Sequence, residues 1–253
     1  MVARIIIILC ALLMLAATAF GQNNGGVALH RRDASRPKAA GGTPTGNAFT
    51  IRGFASTCNS TSFAPVNIDG AIGDIWIIWF KWEGSGTVTT LQGGDSGTAT
   101  ARGTQIDHGG GDLHSRFWTV VAASATVDED FTVSVSGTLT FRDWAVWRVV
   151  ATGTIDYSIH NGATGTGTSA SSGNITTVTV NGIALVCVGV DNSSTFSSLL
   201  VAGNAATNVR DLTGTSSHGW DYVHTAQIVA GQATGTINTS VGWTCNILAL
   251  SAQ

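Results

Sequence analysis

Charge is what this sequence has least of. Asp, Glu, Lys and Arg make up 11% of its 253 residues, against roughly 25% in an ordinary soluble domain. Proline occurs three times, and tyrosine and methionine twice each. No apolar run beyond the N-terminal leader repeats at the helical period, which argues against helices. Glu83 and Glu129 are the only glutamates, and the alternating acids that sandwich-fold glycosidases carry along one strand are missing. The nearest acidic group is "DED", Asp128–Asp130, which reads as a solvated turn with no apolar wall to raise a carboxyl pKa. The cysteines beyond the leader are Cys58, Cys187 and Cys245. Three cannot all pair within one chain, and no C-x-x-C or Cys/His spacing suggests zinc. Cys187 and Cys245 lie in the most apolar segments and are expected to be buried.

Hydrophobic residues reach 43% and glycine numbers 32, so a core can form and disorder is excluded. "MVARIIIILCALLMLAATAFGQ" places Arg4 before an apolar run and small residues after it. This is a secretory signal pattern over 1–21, with cleavage after Ala19 or Gly21, or else an uncleaved N-terminal membrane anchor. Residues 22–47 lack a hydrophobic period, contain Pro37 and Pro44, and set Arg31, Arg32, Arg36 and Lys38 against Asp33. They read as a flexible basic linker or arm that could meet a membrane, a polyanion or the acidic domain itself. The domain 48–253 carries seven Arg/Lys against fourteen Asp/Glu, a balance of −7.

Short Val-, Ile-, Thr- and Trp-rich runs broken by glycine fill that domain and predict strands. They are "FTIRGFAST", "DIWIIWFKW", "TVTTL", "HSRFWTVVAAS", "FTVSVSG", "DWAVWRVVA", "ITTVTV", "GIALVCVGV", "FSSLLVA", "DYVHTAQIVA", "TGTINTS" and "GWTCNILALSA". An internal repeat emerges when "IGDIWIIWFKW" is aligned with "VNGIALVCVGV". Each is followed by an aromatic strand, a Thr/Ser-rich strand and a Trp-led closing strand. From Gly73 to Trp144 is 71 residues, and from Gly182 to Trp243 is 61. The expected fold is all-β: a two-sheet antiparallel, jelly-roll-like sandwich from two pseudo-repeated four-stranded halves facing each other.

"GGDSG", Gly93–Gly97, matches the nucleophile loop of trypsin-like proteases. Those enzymes place histidine and aspartate earlier in the chain, whereas here the one histidine before Ser96 is His30, in the linker. Ser96 reads as a turn residue, and no catalytic residue is assigned. Histidines cluster twice, as Asp107, His108, Asp112 and His114, and as His218, Asp221 and His224. Both segments precede equivalent aromatic strands, so they could share one edge of the sandwich. Imidazole and carboxylate there could hold a transition metal, or Asp107 and Asp112 with loop carbonyls could hold calcium. No other cofactor is expected.

Eight tryptophans are more informative. Residues two apart share a strand face, so Trp76, Ile78, Phe80 and Trp82 point one way and Trp79 the other. Most are core residues. Trp220, in "SHGWDY", is the candidate exposed platform for a sugar face, with His218 and Asp221 as hydroxyl partners.

The succession of Gly-Asp-aliphatic strand, Gly/Thr loops, aromatic strand, "TVSVSG" strand and Trp-led closing strand resembles sandwich modules of phage tail, fibre or head-surface proteins and of secreted bacterial adhesins. The similarity spans about Ala48–Gln253 and implies a structural or surface-recognition role, with no functional residue carried over. The leader departs from a phage component assembled in cytoplasm and favours a secreted or cell-surface protein, or an extracellular particle. The expected function is non-enzymatic: a module contacting a cell-surface glycan or protein surface. The alternative is a structural subunit of an extracellular filament, envelope or virion, a homo-oligomer joined through its arm by strand addition. No nucleic-acid partner is expected, and a membrane only if the leader stays uncleaved.

Overall fold

A computed structural model describes residues 49–58, 62–63, 69–93, 96–109, 112–125, 129–151, 153–175, 182–207, 209–212, 216–220 and 231–252. The segments read as leader and arm lie outside these, as do residues 176–180 and 221–230 of two predicted strands. The described residues belong to the unit Asp33–Gln253. Their helical or extended elements are all strands, and all pairings are antiparallel.

In the first half, β1 (Phe49–Cys58), β3 (Ile75–Glu83), β6 (Thr100–His108), β7 (Leu113–Val121) and β9 (Thr140–Ala151) form a sheet in the order β1-β9-β3-β7-β6. A smaller sheet holds β2 (Ser62–Phe63), β4 (Thr87–Gly93), β5 (Gly97–Thr98) and β8 (Phe131–Ser136) in the order β2-β8-β4-β5.

The second half is one sheet. It contains β10 (Ile155–Asp156), β11 (His160–Ile175), β12 (Ile183–Val190), β13 (Phe196–Val201), β14 (Asn204–Ala205), β15 (Arg210–Leu212), β16 (Ser216–Trp220) and β17 (Gly231–Ala252). β17 is its spine. One edge pairs with β11 along nearly its whole length; the other pairs first with β13 and then with β12.

The two halves share one strand order. β11-β17-β12-β16-β15 repeats β1-β9-β3-β7-β6, and β11-β17-β13-β14 repeats β2-β8-β4-β5. The topology thus repeats for the first, third and fourth segments of the repeat read from the sequence. The aromatic strand aligned with β7 falls mostly at residues 221–230, outside the described residues, and β16 stands in the place equivalent to β7. The expectation of one four-stranded sheet per half, each facing the other, is replaced by two layers within each half.

Side-chain alternation explains the layers. Trp76, Ile78, Phe80 and Trp82 join Trp118 and Trp144 in a core closed by Leu91 and Phe131 of the small sheet. Ile77 and Trp79 face the other way, with Phe117 and Trp147, onto Leu185, Cys187 and Leu248 of the second half. Val186, Val188, Cys245 and Ile247 look into a third core, closed by Leu199, Ala233 and Ile237 where the long sheet folds over itself. Both sheets at the middle interface are covered on both faces, which is why β3 and β12 read as continuous apolar runs. Cys187 and Cys245 are buried and free. Burial raises both thiols well above their ordinary pKa.

Candidate functional site

The seam between β6 and β11 is where the structure gathers polar chemistry at the surface. β6 is the edge strand of its sheet, and its pairing with β7 shifts register between Arg102 and Ile106. The bulge bends β6 toward β11 and opens a cleft of about 200 Å³ over Phe117 and Ile106. Gly103 sits in the bulge at φ +67°, and a Cβ there would come within 2.5 Å of the His160 ring. Glycine is needed on both counts.

Arg102, His160, Asn161 and Asn246 line the cleft. Arg102 donates from Nε to Thr119 Oγ1 at 2.6 Å, and its guanidinium lies 4.5 Å above the Tyr157 ring. Its Nη edge is what remains to meet a ligand. Arg116, on β7, donates to the Gly103 carbonyl and so fastens the bulge. Asn246 Oδ1 accepts from Trp79 Nε1 at 3.0 Å and from Ser115 Oγ at 2.5 Å, leaving its amide N–H groups for the cleft. The pKa of His160 is lowered by desolvation first, then by the charges of Arg102 and Arg116, so at neutral pH its ring is uncharged. The site therefore offers a guanidinium edge, a neutral imidazole and amide donors above an apolar floor. This set suits a polar ligand bearing acceptor oxygens or an anionic group.

The same seam holds part of the first histidine cluster. His108 Nδ1 lies 3.0 Å from Thr164 Oγ1 of β11 and tethers the two strands. Both ring nitrogens of His114 face oxygens: Asp107 Oδ1 at 2.7 Å and the Gly84 carbonyl at 3.0 Å. Asp112 is exposed in the β6–β7 turn, where its N–H donates to the His108 carbonyl. No group of three His, Cys, Asp or Glu side chains positioned for a metal occurs among the described residues.

The second cluster is only partly within view. Asp221 and His224 lie outside the described residues, and Trp220 is described only as the backbone end of β16, opposite Leu185. His218 corrects the expectation of an exposed hydroxyl partner: it is fully buried. β16 is a strand here and not a loop, and its pairing with Cys187 turns His218 into the interface between the halves. The ring packs edge-on against Trp79 at 4.9 Å. Burial first, then the positive charge of Arg210, lowers its pKa to about 3. The "DED" turn needs a similar correction. Glu129 is 1% exposed, and its Oε1 accepts the Ser96 N–H at 3.1 Å. Ser96 itself lies in the turn that leads into β5.

Sequence reasoning missed Arg102, His160 and Asn246 because nothing in their spacing links them. Scarcity of charge was the one available signal, since few cations exist to be gathered. Compared with known proteins, the chain matches no family model and no curated sequence, and what the cleft can do follows from its own chemistry.

Proposed function

We propose that this chain is an exported, non-enzymatic β-sandwich module that recognises a glycan or protein at a cell or particle surface, with the β6–β11 cleft as its binding site. The observation that carries this reading is the convergence of Arg102, His160 and Asn246 on one open cleft in a domain poor in charge. Strand order supports each half being a jelly roll. With β1, β2, β3, β4, β5, β7, β8 and β9 taken as B to I, the sheets run B-I-D-G, with β6 added beyond G, and C-H-E-F. That architecture is shared by lectin and capsid domains.

The test is a glycan-array screen of the secreted chain, with and without calcium, beside Arg102→Ala and Trp220→Ala. Specific binding lost in Arg102→Ala supports the cleft, and loss only in Trp220→Ala moves the site to the end of β16. A folded protein that binds no glycan or cell surface overturns the recognition reading. The second reading, a structural subunit, is favoured by the same capsid-like strand order. It predicts oligomers that disappear when residues 22–47 are deleted and the fold is kept.

A further inference from the structure

A lysine with no solvent exposure lies between two carboxylates at the interface of the halves, and the proposed recognition cleft does not use it. Lys81 on β3 and Asp143 on β9 are direct cross-strand partners, 0% and 1% exposed at their side chains. Lys81 Nζ is 2.7 Å from Glu83 Oε1 and 3.6 Å from Asp143 Oδ2. Ser216, reaching across from β16 of the other half, donates its hydroxyl to Asp143 Oδ2 at 2.5 Å. Gly189 leaves a lane for the lysine stem, since a Cβ there would come within 2.8 Å of Lys81 Cγ.

We propose that Lys81 and Asp143 condense to a side-chain amide that crosslinks β3 to β9, with Glu83 transferring the protons. A charged pair held in the core pays a large desolvation penalty, whereas an amide is neutral. Proximity and fixed orientation replace the entropy cost of bringing amine and acid together. The step balances without a co-reactant. One proton passes from the ammonium through Glu83 to the Asp143 carboxylate, giving amine and acid. The Nζ lone pair then attacks Asp143 Cγ, whose carboxyl oxygen is polarised by the Ser216 hydroxyl. A second Nζ proton is carried by Glu83 to the departing hydroxyl, the Cγ–O bond breaks, and water leaves. The products are one amide, one water and Glu83 in its starting state. Desolvation raises the Glu83 pKa, opposed chiefly by Lys81, which makes its carboxylate a better proton acceptor for this role.

The experiment is the intact mass of the purified, secreted wild-type protein, followed by peptide mapping. The expected result is a chain one water lighter than its sequence, with the Lys81 peptide joined to the Asp143 peptide. Glu83→Gln, checked for folding by circular dichroism, should lose the joined peptide and regain full mass. Wild-type protein at full mass with separate peptides overturns the proposal, and so does a water loss that maps elsewhere. An equal yield of crosslink in folded Glu83→Gln removes Glu83 from the step.

Discussion

The two halves build the same strand order from different materials. In the first, β1 and β2 are separate strands, as are β8 and β9, so two distinct sheets enclose the core. In the second, the equivalent pairs run on as β11 and β17, and one sheet bends over itself. The core fillings differ in step. Trp76, Phe80, Trp82, Trp118, Phe131 and Trp144 occupy the first, while Ala, Val, Leu and Ile dominate the second. A small-residue core lets the layers approach closely: a Cβ on Gly235 of β17 would lie 3.0 Å from Val188 on β12. Bending is taken up by register shifts in the β11–β17 ladder between Gly167 and Ser169 and between Ser171 and Asn174. One topology thus tolerates either a broken strand with a bulky core or a bulged continuous strand with a slim one.

The largest expected effect comes from breaking the aromatic half. Trp82 is fully buried, donates to the Gly86 carbonyl at 2.9 Å and stacks on Phe80 and His114. Trp82→Ala should cost about 3–5 kcal/mol, and Ile247→Val in the slim core about 0.5–1.5 kcal/mol. Urea unfolding of both variants measures this, and equal losses would mean that the two cores are energetically alike.

An effect of comparable size, spread over several pH units, is expected where the halves meet. His218 has a folded-state pKa of about 3, below the ordinary value of about 6.5. Between those values the unfolded chain binds a proton that the native one does not, so stability falls as the pH drops. The slope approaches about 1.4 kcal/mol per pH unit. Full stability is present above about pH 6.5, and the loss levels off near pH 3. Unfolding curves from pH 7 to pH 4 check the wild type. His218→Leu should flatten its share of the slope, and an unchanged slope would show that the ring is charged or exposed in the native state.

The smallest effect on stability belongs to the cleft. Arg102 is half-buried at a sheet edge, so Arg102→Ala should shift stability by only about 0.5 kcal/mol, even where it abolishes ligand binding. Thermal unfolding beside the binding screen separates the two, and a large destabilisation would make Arg102 a structural residue of the seam.

Several features of this arrangement were legible in the residues. The phase of "IWIIWFKW" told which tryptophans share a face, because successive side chains must alternate across a strand. The similar succession of strands exposed the duplication, and the apolar context of Cys187 and Cys245 announced their burial. Other features were not legible. β6 and all but the last residue of β11 fall between the predicted strands because "TARGTQIDH" and "HNGATGTGTSASSGNI" are rich in glycine and hydroxyl residues with weak alternation. They are strands because distant partners, β7 and β17, supply their backbone hydrogen bonds. "TGTINTS" and "GWTCNILALSA" read as two strands separated by Val241 and became one, since β11 spans both. His218 and Glu129 looked like solvated loop residues until tertiary pairing enclosed them.

The sequence by itself determined the class of structure, since β-branched and aromatic runs at period two, punctuated by glycine, leave a β fold as the way to bury their apolar faces. It also determined the repeat and the side on which each aromatic residue of β3 lies. Only the tertiary structure decided that each half has two layers, that Lys81 is sealed beside Asp143, and that Arg102, His160 and Asn246 share a cleft. The reason is range. Alternation and turn chemistry act between neighbours along the chain, whereas these meetings depend on which distant edges pair, and backbone hydrogen bonds carry no label of the residues that make them.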